Sequence, residues 1–169
     1  MTIRTYRDGD VVSVGRLIAR TYSAFNLGFA KPGERAGLLG PFRFARSEKP
    51  ARRAAIARAI TAPLVLVAED EGTMVGVLRG GRIDRRQRVV LQSLFVAGSH
   101  HRRGIGRRLV QRFEQMCQAC GTTVIKVAST LYAVPFCQAL ACQRSTGVRT
   151  MGGFGRIGLP YQPMRKRLT

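Results

Sequence analysis

SHHRRGIGRRLV, residues 99–110, decides how this chain is read. It stands two residues after the apolar run LQSLFV (91–96), and Arg102, Arg103, Arg107 and Arg108 crowd around Gly104 and Gly106. The apolar run predicts a strand. After the turn, Ile105, Leu109, Phe113, Met116, Cys117 and Cys120 recur at helical spacing, which predicts an amphipathic helix with those residues on one face and Gly121 closing it. The first backbone N–H groups of such a helix have no partner within it, and the helix dipole adds positive potential there. The glycines remove side chains that would hold a ligand away from that backbone. The arginines add formal charge. A phosphate or pyrophosphate is the ligand such a turn suits.

Outward from the turn, the rest of the chain reads as alternating short elements. TIRTY (2–6) is a strand, and Asp10 is placed to cap a helix carrying Val11, Val14, Leu17, Ile18 and Tyr22. Residues 26–45 are rich in Gly and Pro and read as irregular. Ser47 reads as the cap of a helix running to residue 60, with Pro50 in its first turn. PLVLVAED (63–70) and TMVGVLRGG (73–81) form a hairpin about Glu71 and Gly72. Further strands are expected at 86–96, 122–128 and 161–168, with a short helix at 132–141. The fold class is α/β, mixed and α+β-like: an antiparallel first half, then a strand–helix–strand unit. The length suits one domain over residues 1–169.

The composition is that of a globular protein, 45% hydrophobic and 22% charged, with a net charge of +20. Arg far outnumbers Lys. Such a surface attracts polyanions: a phosphorylated cofactor, an acidic protein or a nucleic acid. The same excess is also what a solvated, Arg-rich surface looks like. No base-stacking platform is evident, since aromatics make up 7%. No apolar run reaches the ~18 residues of a membrane span, and MTIRTYRDGD does not read as a signal peptide. A cytoplasmic protein is expected. Cys117 and Cys120 form C-x-x-C, and Cys137 and Cys142 form C-x4-C. Together they spell a zinc set, but neither pair sits in a knuckle-like loop, so reduced helix cysteines and no metal are expected.

Neither a P-loop nor a dinucleotide fingerprint is present. LQSLFVAGSHHRRGIGRRLV (91–110) instead resembles the cofactor motif of the GNAT superfamily of N-acetyltransferases, Q/R-x-x-G-x-G/A, with His101 at the Q/R position. STLYAVPFCQALACQRSTGVR (129–149) resembles that family's N-x-x-A-x-x-F-Y stretch, where Ala133 and Phe136 match. The resemblance implies the GNAT-type acyl-CoA N-acyltransferase fold, a central mixed and mostly antiparallel sheet flanked by helices. It implies acetyl-CoA as co-substrate. It places the pantetheine arm along Leu94, Phe95 and Val96, and the pyrophosphate on Arg102, Arg103, Gly104, Ile105, Gly106 and Arg107. Thr130 stands at the Asn position of the second stretch, and the resemblance implies that it is a further cofactor-binding residue. His100 and His101 are expected to be exposed loop residues.

Acetyl transfer needs a neutral amine, a polarised thioester carbonyl and a proton for the departing thiolate. Where the family often carries a basic Glu, this chain has Gln92 and Ser93. Where the family carries the proton-donating Tyr, it has Cys137. A thiol of pKa ~8.5 is acidic enough for the task but is a weak donor. Cys137 therefore has three readings: substitute acid, acyl-accepting nucleophile, or apolar filler with the function moved to Tyr132. Ala141 and Cys142 replace a frequent Gly and aromatic. The leading function is an acetyl-CoA-dependent N-acetyltransferase acting on a primary amine. The alternative is a CoA-binding protein with little catalysis and a basic surface for a partner. Tyr22, Phe25, Phe29 and Phe42 are expected to be core or to line an acceptor cleft. Homodimerisation follows only by analogy with the family.

Overall fold

The structure is a computed structural model that describes residues 1–151 and 158–168. Four antiparallel strands come first: β1 (Thr2–Thr5) pairs with β2 (Leu64–Asp70), β2 with β3 (Thr73–Ile83), and β3 with β4 (Arg88–Val96). The β2–β3 hairpin turns on Glu71 and Gly72, both at positive φ (48° and 74°). That geometry matches the twist of the flanking strands. Helix α1 (Val11–Phe25) lies between β1 and β2 in the chain, followed by α2 (Pro32–Leu39) and α3 (Pro50–Ile60). Helix α4 (Ile105–Ala119) carries the chain from β4 to β5 (Val124–Thr130), which runs parallel to β4. A parallel pair needs such a crossover. After α5 (Val134–Ala139), the short strands β6 (Gln143–Arg144) and β7 (Arg149–Met151) both pair with β8 (Leu159–Arg167), itself antiparallel to β5. The sheet order is β1-β2-β3-β4-β5-β8-β6, mixed and mostly antiparallel as the sequence predicts.

Helices cover both faces. Side chains alternate along β3, and glycine at Gly76 and Gly80 lets α4 settle close. A Cβ on Gly76 would stand 2.9 Å from Leu109, and one on Gly80 would stand 2.9 Å from the Phe113 ring. The intervening residues, Val77 and Arg79, face the opposite side, where α1 packs on β3 and β4 and Gly15 of α1 meets Ile56 of α3. Phe113, Leu109, Leu17, Ile18, Leu66 and Leu78 are the heart of the core.

Several expected boundaries shift for local reasons. Residues 26–45 are not irregular. Pro32 occupies the first turn of α2 and the Glu34 carboxylate accepts the Lys31 N–H at 2.8 Å, starting a helix that a 3-10 turn (Gly40–Phe44) continues. Ser47 does not cap α3. Lys49 holds the cap position, and Ser47 sits two residues too early. Asp10 is at the N-cap of α1, but its carboxylate takes Arg4 at 2.7 and 2.8 Å instead of the helix N–H groups. β5 starts at Val124 because residues 121 and 122 finish α4. Gly121, at φ 75°, donates to Gln118 at 2.9 Å, and Thr122 donates to Cys117 at 3.1 Å. Cys120 ends the helix exposed rather than on its buried face.

Helix α5 closes with the same pair of bonds, Ala141 N–H to the Gln138 carbonyl at 2.9 Å and Cys142 N–H to the Cys137 carbonyl at 3.0 Å. Here an alanine holds the left-handed position, at φ 64°. That conformation costs a residue with a Cβ roughly 1–2 kcal/mol, part of which glycine would return as unfolded-chain entropy. Ala141→Gly is therefore expected to stabilise the fold by about 1 kcal/mol. The check is a higher denaturant midpoint at unchanged slope.

Candidate functional site

The site begins where two paired strands part. β4 and β5 are paired from Arg88↔Val124 to Leu91↔Val127 and no further. Beyond that point β4 stays with β3 as far as Val96↔Gly76, and β5 stays with β8 as far as Thr130↔Tyr161. The parting starts at a bulge: Arg79 stands opposite Ser93 and Gly80 opposite Leu91, which leaves Gln92 without a partner on β3. A bulge bends its strand and raises the local twist. Residues 92–96 thus turn one backbone edge away from β5 towards a cleft, its far end closed where the Val96 carbonyl accepts from His101, and an extended chain carrying amides can pair with such an edge as an added strand. Leu94, Phe95 and Val96 all lie on this edge, each half-buried.

The cleft leads to the arginine-ringed turn. Arg102 (φ 61°) and Gly104 (φ 77°) both adopt left-handed backbone, and Gly104 is the N-cap of α4. The first bond within the helix runs from Arg108 N–H to the Gly104 carbonyl at 3.0 Å. The N–H groups of Ile105, Gly106 and Arg107 therefore precede the helix's own acceptors. A Cβ on Gly104 would meet nothing within 4 Å, so this end opens onto free space. Arg102, Arg103, Arg107 and Arg108 are all exposed around it. Ile105 is only 3% exposed, so its side chain anchors the turn in the core and leaves its backbone outward. Gly106 departs from the sequence reading. A Cβ there would stand 3.0 Å from the Phe136 ring, so this glycine admits an α5 side chain.

The two histidines are not exposed loop residues. His101 donates from Nε2 to the Val96 carbonyl at 2.8 Å, and its ring lies 4.7 Å from that of Phe25. Because a carbonyl only accepts, this bond requires the proton on Nε2. His100 is half-buried, with Nε2 3.6 Å from Asp70. Phe25 also stacks on Tyr132 at 5.5 Å. This pile of three rings joins the end of β4 to the segment after β5. Beside it, Thr130 donates its hydroxyl to the Asn26 side-chain oxygen at 2.6 Å, so Thr130 ties β5 to the end of α1. Of the four aromatics expected in core or cleft, Tyr22 packs edge-on against Phe95 at 5.6 Å and Phe42 packs on the core, while Phe29 is exposed.

The profile of the acetyltransferase (GNAT) domain family matches residues 44–168, which includes the bulge, the turn and α4. The chain belongs to the GNAT acetyltransferase family. Solved structures agree on the fold. One is a GCN5-related N-acetyltransferase from Rhodopseudomonas palustris, with a TM-score of 0.77 at 17% identity, covering 99% of this chain and 95% of that one. A phosphinothricin acetyltransferase from Sinorhizobium meliloti, in complex with acetyl-CoA, gives 0.70 at 19%, covering 99% and 88%. The PaiA N-acetyltransferase from Thermoplasma acidophilum, in complex with coenzyme A, gives 0.69 at 14%, covering 99% and 98%. No curated protein matches the sequence. Membership of the GNAT family supports acetyl transfer from acetyl-CoA.

This GNAT chain places its two acid candidates differently. Cys137 is 7% exposed, in a small cluster with Val134, Cys142 and Met164. Its thiol donates to the Ser129 hydroxyl at 3.6 Å. A hydrogen bond from the Cys142 thiol draws Cys137 down to about 7 against the opposing effect of burial, with help from Ser129. The same bond pushes Cys142 upward. Tyr132 is 56% exposed on the rim of the cleft. Among the acids, Asp10 and Glu69 are engaged on Arg4, Asp84 on Arg88 and Glu114 on Lys166, while Asp70 pairs with the terminal amine of Met1 and lies near His100. Among the described residues, no group of three or more His, Cys, Asp or Glu is placed to hold a metal, and no helix is long and apolar enough to cross a membrane.

Proposed function

We propose that this chain, as one domain over residues 1–169, moves the acetyl group of acetyl-CoA directly to a primary amine. The observation that carries the reading is the continuity of the β4 edge with the turn. Residues 92–96 leave β5 at the Gln92 bulge, and the same strand then delivers the chain to Gly104 and the free N–H groups of α4. The edge at Leu94, Phe95 and Val96 suits the amides of a pantetheine arm. The N–H groups of Ile105, Gly106 and Arg107, with Arg102, Arg103 and Arg107 around them, suit a diphosphate. Thr130 borders the cleft opposite and positions its wall.

Bound acetyl-CoA supplies the activated acyl carbon. Transfer forms an amide C–N bond and breaks the thioester C–S bond. The amine proton leaves to solvent, and the departing sulfur takes one. Tyr132 is the proton donor in this reading, because it is exposed at the cleft rim while Cys137 is turned into its own packing cluster. The reading assigns no carboxylate as base. The acceptor amine must then lose its proton to water before it attacks, so transfer is expected to quicken as pH rises towards the acceptor's own pKa: at ~8, about a tenth is neutral at pH 7 without help, against well under a hundredth at ~10.4.

The test is initial-rate kinetics on two variants. Tyr132→Phe is expected to lower kcat by about 100-fold, the usual scale for a lost general acid. Cys137→Ala is expected to leave kcat within about 3-fold once loss of folded protein is corrected for. The opposite ranking would return the acid to Cys137.

A further inference from the structure

On the sheet face that α1 covers stands a cation with no ion-pair partner among the described residues. Arg79 on β3 and Ser93 on β4 are direct cross-strand partners. Arg79 Nε and Ser93 Oγ are both buried, and neither has a hydrogen-bond partner among the described residues. No ion pair involves Arg79 among the described residues, whereas Arg4 on β1 and Arg88 on β4 are each paired with a carboxylate. Burial lowers the Arg79 pKa, and no anion opposes that effect. Buried donors without acceptors carry a desolvation penalty of ~1–3 kcal/mol each, more for a charged group. In natural folds such groups are met by ordered water, an ion or a ligand, or belong to a catalytic or strained site.

The position is specific. Ser93 follows the bulged Gln92, at the throat where β4 leaves β5. Three residues, or ~10 Å of strand, separate it from Val96 at the mouth. Its face is the one Tyr22 and Phe95 share, opposite the face that carries α4. The diphosphate turn at Arg102–Arg107 lies beyond the strand end, on the α4 side. The Arg79–Ser93 pair is therefore separate from the cofactor's phosphates and lies on the acceptor side of the reacting centre.

We propose that Arg79 and Ser93 form a carboxylate subsite, so that the acceptor is an amino acid: an amine carrying a carboxylate a few bonds from its nitrogen. A planar carboxylate takes the Arg79 Nε–H and a second guanidinium N–H in parallel, and its remaining lone pairs accept the Ser93 hydroxyl. That single group satisfies both orphaned donors and neutralises the charge. It also fixes the nitrogen at a set distance from the strand edge. The carboxylate specificity rests on the acetyl-transfer reading for its biological use, but not for its detection.

The experiment compares each common L-amino acid with its own primary amide as free ligands. Thermal unfolding is recorded for the wild type, Arg79→Gln and Ser93→Ala, with and without acetyl-CoA, after circular dichroism has shown each variant folded. At least one amino acid is expected to raise the wild-type Tm by a few degrees while its amide does not, and Arg79→Gln is expected to erase the difference. Where turnover occurs, measured at a pH above the amine pKa of both acid and amide so that each is neutral, the acid is expected to exceed its amide in kcat/KM by 10-fold or more. That ratio should fall to about one in Arg79→Gln and by about 3-fold in Ser93→Ala. Equal responses to acid and amide, the same preference in Arg79→Gln as in the wild type, or no amino acid shifting the wild type would each overturn the subsite. An acid-specific shift without acetylation would overturn acetyl transfer and leave the subsite standing. Acetylation indifferent to the carboxylate would do the reverse.

Discussion

Gly104→Glu is expected to weaken acetyl-CoA binding by at least 100-fold while the protein stays folded. Two effects act together. Gly104 sits at φ 77°, so any Cβ there costs roughly 1–2 kcal/mol of backbone strain. The new carboxylate would also occupy the positive end of α4, where the N–H groups of Ile105, Gly106 and Arg107 await an anion. Nothing lies within 4 Å of the added Cβ, so no clash disrupts the core. A hundredfold loss corresponds to about 2.8 kcal/mol, within the roughly 4 kcal/mol that two unit charges ~4 Å apart exert at an effective dielectric of ~20. The measurement is the Tm shift produced by saturating acetyl-CoA. It should be several degrees in the wild type and near zero in the variant. Gly104→Ala carries the strain without the charge and should lose no more than about 10-fold.

Phe113→Ala is expected to remove 3–5 kcal/mol of stability. Phe113 is fully buried, and its ring presses on β3 where a Gly80 Cβ would be, at 2.9 Å. The β3 backbone closes one side, and Leu109, one turn earlier on the same face of α4, is itself packed on Gly76, so the cavity has little room to collapse. Set against a typical total of ~5–15 kcal/mol, this leaves a marginal protein. Denaturant unfolding gives the number directly. The effect on acetyl-CoA affinity should follow the folded fraction alone, because Phe113 lies two turns from the helix start. An affinity loss in fully folded Phe113→Ala would mean that the α4 register also positions the turn.

What the sequence makes legible is what local chemistry controls. The 105–119 helix, its Gly121 ending, the Glu71-Gly72 hairpin and the turn between β4 and α4 are each specified by residues next to one another. The α2 helix was hidden because Gly33 and Gly37 mask a start that Pro32 and Glu34 are sufficient to make. β6 and β7 are too short, at 2 and 3 residues, to show alternation, and exist because β8 offers an edge. The Gln92 bulge has no signature in sequence, since it depends on which residues of β3 lie opposite. The same holds for Phe25, Asn26 and Arg79. Their roles arise from partners 76, 104 and 14 positions away, so no spacing rule reaches them. Cys137 shows the converse. The motif singled it out for chemistry, and its surroundings (Ser129, Cys142 and Met164) make it part of the packing.

The most direct test of acetyl transfer follows the acetyl group itself. The wild type is incubated with acetyl-CoA carrying an isotopically labelled acetyl group, together with an amine panel that includes the amino acids, and the products are read by mass spectrometry. The predicted result is labelled acetyl on the nitrogen of at least one amine, formed by the wild type and lost in Gly104→Glu. Tight acetyl-CoA binding with no labelled amine from any member of the panel would contradict it, and would make this GNAT chain a binding protein rather than a transferase.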